Sequence, residues 1–95
     1  MEAHEFSLHA RISVRTLDFW CEAGWLTPHR SDEGAHYSEI DLARAHLIND
    51  LKHLGINDDG VPVILDLVDQ IYGLRRVVRE LLSAMKAGQG ELGRE

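Results

Sequence analysis

The sequence predicts a mainly α-helical fold in which a helix-turn-helix is followed by a small β-hairpin wing and a long C-terminal helix. Two short helical segments joined by a tight turn indicate the helix-turn-helix. Turn-forming residues between two short strand-compatible pieces indicate the wing, and a sustained seven-residue apolar repeat indicates the long helix. The predicted division is a winged helix-turn-helix domain at 1–56, a dimerisation or docking helix at 57–87 and a flexible tail at 88–95.

Length and composition restrict the class of protein. A chain of 95 residues has room for one small core, and its apolar content of 44% argues against disorder. A domain of this size buries only about two-thirds of the surface that its unfolded chain exposes, which favours dimerisation. The single cysteine, Cys21, excludes a disulfide framework and a multi-cysteine zinc site. No segment resembles a signal peptide or a membrane span, so we expect a cytoplasmic protein.

The charge distribution bears on the partner. The net charge is −6, and residues 1–50 carry four arginines against nine acidic residues, a net of −5. DNA affinity depends largely on basic side chains that neutralise phosphates, whereas an acidic surface repels the duplex and attracts basic proteins. The helix-turn-helix half is therefore the acidic half, and its charge favours a protein partner over DNA.

The first two predicted helices span Glu5 to Ala10 and Val14 to Ala23. Ser13 is a good N-cap for the second helix, and Gly24 is a natural stop. The predicted buried stripe of the second helix is Val14, Leu17 and Cys21. The outward face of that helix carries Arg15, Asp18, Phe19 and Glu22.

The wing and a third helix follow. The helical period is lost between Trp25 and Tyr37, where Asp32–Gly34 has turn chemistry. Ser38 and Asp41 form a capping-box-like pair that opens a helix over Glu39 to Leu54. The apolar positions of this helix that follow the helical period are Ile40, Ala43, Leu47, Leu51 and Leu54. The predicted aromatic core of the domain is Phe6, Trp20, Trp25 and Tyr37.

The long helix carries the clearest periodic signal in the chain. Asn57 is its predicted N-cap, and Asp58 and Asp59 suit the positive end of its dipole. An apolar repeat of seven residues predicts a dimer seam formed by Ile64, Leu67, Ile71, Leu74, Val78, Leu81 and Met85. We expect a homodimer whose helices run parallel or antiparallel; the alternative is a core helix of a monomer.

The stretch "ISVRTLDFWCEAGWLTPHRSDEGAHYSEIDL" resembles the MerR-type winged helix. The matching positions are Ser13, Thr16, Leu17, Trp20, Gly24, Leu26, Pro28, Arg30, Gly34 and Tyr37. Asp18 and His36 stand where such regulators usually have arginine, and Arg11 stands at a turn position that is often glycine. The changes at Asp18 and His36 remove bases from the surface that would face DNA.

The segments "EFSLHARIS" and "NDDGVPVILDLVDQIYGLRR" resemble the CbpM-like chaperone modulators, which share the MerR-type fold. This resemblance implies a protein that binds the J domain of a DnaJ/CbpA-like co-chaperone and inhibits it by blocking access of the DnaK-type chaperone. The basic helix of such a J domain would complement an acidic patch at Asp58, Asp59, Asp66 and Asp69. The alternative for these four residues is a helix cap plus a solvated face.

Two other functions stay open on the sequence. One is a MerR-like DNA-binding transcriptional regulator, which requires the four N-terminal arginines Arg11, Arg15, Arg30 and Arg44 to converge. The other is an adaptor for a different basic partner. We expect DNA to be the less favoured partner, and we expect no membrane partner.

Catalysis and metal binding are not expected. The sequence has no glycine-rich phosphate loop and no nucleophile motif, so we predict no enzyme activity and no cofactor. His46 and His53 lack the i, i+4 spacing that chelates a metal on one helix, and we predict no metal site.

Overall fold

The computed structural model describes residues 1–92, with side chains as far as residue 88. Its elements, in chain order, are α1 (Ala3–Ala10), α2 (Val14–Glu22), β1 (His29–Ser31), β2 (Gly34–His36), α3 (Glu39–His53) and α4 (Gly60–Leu92). The chain forms two compact units, an N-terminal unit that ends at Pro62 and a C-terminal unit that begins at Val63. The predicted mainly helical fold, with its hairpin and long C-terminal helix, is confirmed.

Helix α1 begins two residues before its predicted start because Glu2 caps it. The Glu2 carboxylate accepts hydrogen bonds from the backbone N–H of Glu5 at 2.8 Å and of His4 at 3.2 Å. These bonds satisfy donors that have no partner within the helix. The hydrogen bonds from Glu5 and then His4 lower the pKa of Glu2, because they stabilise the charged carboxylate.

The lowered pKa of Glu2 makes stability depend on pH. Glu2 has a lower pKa in the folded state than in the unfolded chain. At pH values above its ordinary pKa the charged carboxylate therefore stabilises the fold, and this stabilisation is lost as the pH falls through the folded-state pKa. We expect Glu2→Gln to unfold at a lower temperature than the wild type at neutral pH. Melting curves from about pH 7 to about pH 3 should show the two proteins converging on acidification. A constant difference across this range would contradict the assignment.

The turn after α1 contains a left-handed arginine. Arg11 has φ 60° and ψ 43°. The backbone N–H of Ile12 donates to the Ser7 carbonyl at 3.1 Å, which closes the C-terminal cap of the helix. Glycine adopts this conformation without steric cost, whereas a residue with a Cβ atom pays roughly 1–2 kcal/mol. The departure noted in the sequence is therefore a strained position.

Arg11→Gly is expected to stabilise the domain by about 1 kcal/mol. Glycine removes the steric cost of the left-handed backbone, and this gain is partly offset because glycine makes the unfolded chain more flexible. Urea unfolding followed by circular dichroism measures the change. Arg15→Gly in α2 is the matched control: it removes the same side chain from a helical position and should destabilise by about 1 kcal/mol. Equal destabilisation by both substitutions would contradict the strain.

Helix α2 has the predicted N-cap but a different buried stripe. The Ser13 hydroxyl accepts a hydrogen bond from the Thr16 N–H at 3.1 Å, and Gly24 ends the segment with φ 79°. Leu17 and Trp20 are the buried residues of the helix. Val14 is 43% exposed and Cys21 is half-buried, so the predicted stripe is correct only at Leu17. Trp20 occupies the inward position because its large ring joins the aromatic core.

The wing is the predicted hairpin. β1 and β2 pair antiparallel, with Arg30 opposite Ala35 and Ser31 opposite Gly34. Gly34 has φ 115°, a conformation that favours glycine, and follows the two-residue loop at 32–33. After β2, the backbone N–H of Tyr37 donates to the Met1 carbonyl at 2.7 Å. The end of the wing is thereby tied to the segment before α1.

Helix α3 begins at the predicted capping box but presents a different face to the core. The Ser38 hydroxyl accepts from the Asp41 N–H at 3.2 Å, and the Asp41 carboxylate accepts from the Ser38 N–H at 2.9 Å. The buried residues are Ala45, Ile48 and Leu51. Of the predicted apolar positions, Ile40, Ala43 and Leu54 are exposed, which corrects that prediction.

A side-chain hydrogen bond joins α3 to the end of α1. The Asn49 amide donates to the Ala10 carbonyl at the end of α1, at 3.0 Å. Ala45 and Ile48, close to Asn49 on the helix, are buried. The bond therefore adds to the burial of this face of α3.

The aromatic core of the N-terminal unit is as predicted. Phe6 and Tyr37 stack with ring centroids 4.4 Å apart and planes 20° apart, and Trp20 lies 6.4 Å from Trp25. All four rings are at most 4% exposed. Aromatic pairs of this kind stabilise a core beyond the area that they bury.

Helix α4 is longer at its C-terminal end than predicted. The Asn57 side-chain carbonyl accepts from the Gly60 N–H at 2.8 Å, so Asn57 caps the helix as expected. The helix continues to Leu92, past the predicted helix end at residue 87, and the flexible tail over 88–95 stays a prediction; residues 93–95 lie outside the described residues. Each added residue gains a backbone hydrogen bond, and this offsets the low helix propensity of Gly88 and Gly90.

The apolar repeat of α4 remains exposed in the single chain. Its central members range from 51% exposed at Ile71 to 64% exposed at Leu74. Soluble monomers rarely expose a continuous apolar stripe of this length. Within the part of the chain that the structure describes, no helix combines the length and the hydropathy needed to cross a bilayer.

Candidate functional site

The outward face of α2 is the first part of the candidate site. Arg15, Asp18, Phe19 and Glu22 are all exposed, as predicted. Residues three and four apart on a helix are neighbours, so the base, the two acids and the aromatic ring form one surface. This surface is chemically mixed rather than basic.

The wing lies beside this face and completes a shallow depression. Its lining is Ala3, Asp18, Cys21, Glu22, Arg30, Ala35 and Tyr37. Two carboxylates and one guanidinium therefore share the depression, and its formal charge is −1. The acidic groups of α2 are not turned away from the arginine of the wing.

Phe19 supplies an apolar contact on this face. Its ring is edge-on to the Trp25 ring, with centroids 5.6 Å apart and planes 88° apart. Trp25 is buried, whereas Phe19 is 47% exposed. The buried indole holds the phenyl ring in place, so half of a rigid aromatic ring is offered to a partner.

The floor of the depression is a phenol–thiol pair. The Tyr37 hydroxyl and the Cys21 sulfur are 3.5 Å apart. Burial is the main cause that raises the pKa of Tyr37, and its hydrogen bond with Cys21 adds to the rise. Tyr37 therefore stays neutral at physiological pH and acts as a packing residue.

Arg44 serves the fold rather than the binding face. Its Nε donates to the Trp25 carbonyl at 2.6 Å, and the residue is half-buried. This bond joins α3 to the segment between α2 and the wing. Three of the four N-terminal arginines remain exposed, namely Arg11, Arg15 and Arg30. The DNA-binding alternative required all four to converge, and Arg44 does not join the other three because it donates to the backbone.

The predicted acidic docking patch is divided between the two units. Asp58 and Asp59 belong to the N-terminal unit, where Asp58 forms an ion pair with Lys52. Asp66 and Asp69 belong to the C-terminal unit, where Asp66 accepts a hydrogen bond from Gln70 at 2.9 Å. The joint action of these four residues stays a prediction.

Metal chemistry has no counterpart in the described residues. Within residues 1–92, no three histidine, cysteine or acidic side chains come together in a way that would hold a metal ion. The candidate site is the surface formed by α2 and the wing.

Comparison with known proteins identifies the family. A model described as "MerR HTH family regulatory protein" matches residues 1–67, which include α1, α2, the wing and α3. The chain belongs to the MerR family. No protein of curated function matches the sequence.

A solved MerR-type structure shares the fold. The chain is similar to the transcription regulator PbrR691 from Ralstonia metallidurans CH34, whose structure was solved in complex with lead(II). The two are 21% identical, with a TM-score of 0.70 over 97% of this chain and 76% of that chain. At this identity the likeness shows the fold alone. The MerR-type winged helix predicted from the sequence is confirmed.

The sequence predicted the surface formed by α2 and the wing but not two contacts that position it. It predicted the exposed residues of α2 and the hairpin beside them. It did not predict that Arg44 holds the Trp25 carbonyl or that Phe19 rests on Trp25. No sequence motif predicts either contact, because each depends on how α3 and the aromatic core pack.

Proposed function

We propose that this MerR-family protein is a transcriptional regulator that binds duplex DNA with α2 and the wing. The observation that carries this proposal is the exposed α2 beside an exposed two-stranded wing, with Arg15 on the helix and Arg30 on the strand. The family match and the shared fold with a transcription regulator support it.

The docking follows the general geometry of winged helix-turn-helix proteins. Helix α2 enters the major groove, which has the width to admit one helix, and the N-terminal part of α2 faces the base edges. Arg15 lies in this part of the helix and Arg30 reaches the sugar–phosphate backbone from the wing. The exposed ring of Phe19 supplies an apolar contact of the kind that thymine methyl groups accept.

The acidic residues limit the affinity. With three exposed arginines in the N-terminal unit of each protomer, at most about three phosphates are neutralised there, so the slope of log K against log salt is at most about −3 per protomer. Asp18 and Glu22 on α2 oppose binding by repulsion. We therefore expect weak binding to random duplex and dependence on a specific site.

The test is a titration of a duplex library at several salt concentrations. Arg15→Ala and Arg30→Ala should each weaken binding several-fold and reduce the salt slope by about one. Lys86→Ala is the matched control, because it removes one exposed positive charge from α4. Absence of salt-dependent binding by the wild type would overturn the proposal.

Asp18→Arg is expected to tighten duplex binding about tenfold, because it removes a negative charge from the α2 face and adds a phosphate contact. Fluorescence anisotropy with a labelled duplex at low salt measures the change. Glu5→Arg is the control, since it makes the same change in charge on α1. Equal tightening by both variants would show that net charge, and not the α2 face, is responsible.

The regulator acts as a homodimer through α4. The exposed seam from Leu67 to Met85 is the support for this part of the proposal. A second copy of the chain offers the same stripe, and burying two such stripes against each other removes the apolar surface from water. The two copies of α2 in the dimer would then each bind one half of a two-part DNA site.

We propose a second candidate function because Asp18 and Glu22 are exposed on the face that would approach DNA. In this alternative the protein binds the J domain of a DnaJ/CbpA-like co-chaperone and blocks access of the DnaK-type chaperone. The acids and the half-exposed Phe19 ring suit a basic helix with an apolar side. The sequence resemblance to CbpM-like modulators supports it.

One pair of titrations separates the two candidates. The wild type and Asp18→Arg are titrated in parallel against duplex DNA and against a purified J domain. The regulator predicts duplex binding that the substitution tightens and no J-domain binding. The modulator predicts J-domain binding that is weakened by salt and by Asp18→Arg. Reversing Asp66 and Asp69 in the same assay tests whether the docking surface extends to α4.

A further inference from the structure

A second surface depression lies between the α1–α2 turn and α3, outside the face formed by α2 and the wing. We call it the turn depression. Its lining is Ala10, Arg11, His46, Asn49, Asp50 and His53. It collects one guanidinium, two imidazoles and one carboxylate within a unit whose other surfaces are rich in acid. No part of the proposed function uses His46 or His53.

Arg11 stands at this depression in spite of its strained backbone. Its φ of 60° is relaxed for glycine, yet the position carries the longest basic side chain. Strained residues of this kind persist where the surrounding structure holds them and are concentrated at functional sites. The exposed guanidinium contributes a permanent positive charge and a fork of donors that matches a tetrahedral oxyanion.

The hydrogen bonds of α3 define the donors around Arg11. Nδ1 of His53 lies 2.7 Å from the Asn49 carbonyl oxygen. A carbonyl only accepts, so Nδ1 carries the proton, and Nε2 of the neutral ring is an acceptor. Nε2 becomes a donor only when the ring takes up a second proton. The Asn49 amide bonded to Ala10 holds this arrangement against α1.

The charged groups around the depression determine whether its net charge rises or falls as the pH is lowered. With neutral imidazoles, Arg11 and Asp50 cancel. Protonation of His46 and His53 makes the site positive. Lys52 is engaged with Asp58. Histidine is the side chain that gains charge between about pH 8 and pH 5.

We propose that the turn depression is a phosphate-binding site formed by Arg11, His46 and His53, and that phosphate binding takes up protons. The affinity rises as the pH falls, because protonation gives the His53 ring a free donor at Nε2 and adds positive charge to both rings. The phosphate group comes from a duplex backbone or is a free anion. The inference does not depend on the proposed function.

Sulfate is the probe, since it is tetrahedral and remains a dianion over the whole pH range of the test. Backbone amide and imidazole NMR signals are followed while sulfate is added at constant ionic strength, at about pH 5.5 and about pH 8. The expected result is saturable shifts centred on Arg11, Asn49 and His53, with an affinity at least about tenfold higher at the lower pH. Unsaturable or dispersed shifts, or an affinity equal at both pH values, would overturn the proposal.

The variant Arg11→Gly distinguishes loss of the anion site from loss of folding. It is expected to be more stable than the wild type and to lose the sulfate shifts at both pH values. His53→Gln should keep a weak affinity that no longer rises tenfold on acidification. Arg79→Gln, which removes an exposed arginine of α4, is the control and should bind sulfate as the wild type does. Wild-type sulfate binding by Arg11→Gly would overturn the proposal.

A duplex titration of the same variants distinguishes the sources of phosphate. If the site holds a backbone phosphate, Arg11→Gly reduces the salt slope of duplex binding by about one. If it holds a free anion, duplex binding is unchanged and added inorganic phosphate protects the wild type, but not Arg11→Gly, against thermal unfolding. A protein that binds sulfate at this site but no duplex would refute DNA binding and leave the phosphate site standing.

Discussion

Leu74→Asp is expected to convert the proposed dimer to a monomer. Leu74 lies in the middle of the α4 seam and is 64% exposed in the single chain, so the proposed partner helix would cover it. A carboxylate at this position would be buried against apolar side chains without a counter-charge, and burying such a charge costs several kcal/mol. Sedimentation velocity should show one species at half the wild-type mass.

The neighbouring Gly73→Asp is the matched control for this experiment. It adds the same charge one residue earlier, and a Cβ atom at Gly73 meets open space. In the seven-residue repeat, position 73 lies on the outer face, so this variant should remain dimeric. If Leu74→Asp sediments as the wild type does, the seam does not hold two copies together. In that case α4 has some other occupant.

Phe6→Ala is expected to lower the free energy of unfolding by about 4 kcal/mol, the usual cost of removing a buried phenyl ring. Phe6 is fully buried and stacks on Tyr37 at the end of the wing. Most domains are stable by only about 5–15 kcal/mol, so this loss is a large fraction of the total. Urea denaturation monitored by tryptophan fluorescence measures it.

Leu8→Ala provides the comparison for Phe6→Ala on the same helix. Leu8 is 65% exposed, and truncating it should change stability by less than about 1 kcal/mol. Phe6→Ala should also weaken binding at the α2–wing face, because the wing loses the ring on which Tyr37 rests. Similar losses of stability for both variants would show that Phe6 does not anchor the wing to α1.

Most helix boundaries were predictable because local chemistry determines them. Ser13, Ser38 and Asn57 each cap the helix that follows, and each cap appears in the structure with the predicted acceptor. Gly34 takes a positive φ at the wing, where the turn requires it. These signals act over three or four residues and need no knowledge of the rest of the chain.

The faces of the helices were harder to predict, because they depend on contacts distant in sequence. The apolar pattern of α3 is compatible with more than one buried face, and the structure buries Ala45 and Ile48 beside the Asn49 bond to the Ala10 carbonyl instead of Ile40 and Leu54. In the same way, Arg44 was grouped with the exposed arginines, and only the packed structure shows that it holds the Trp25 carbonyl. The acids of the α2 face could be predicted because they are exposed and need no partner.

The contact between Phe19 and Trp25 has a practical consequence for every binding assay on this protein. The buried indole touches a ring whose other half faces the partner, so occupation of the α2 face alters the surroundings of a natural chromophore. Trp20, 6.4 Å away, is the other indole and lies in the same cluster. Tryptophan fluorescence is therefore expected to change when a partner binds, so no attached dye is needed. A Phe19→Leu variant, which lacks the ring beside Trp25, is the control for this signal.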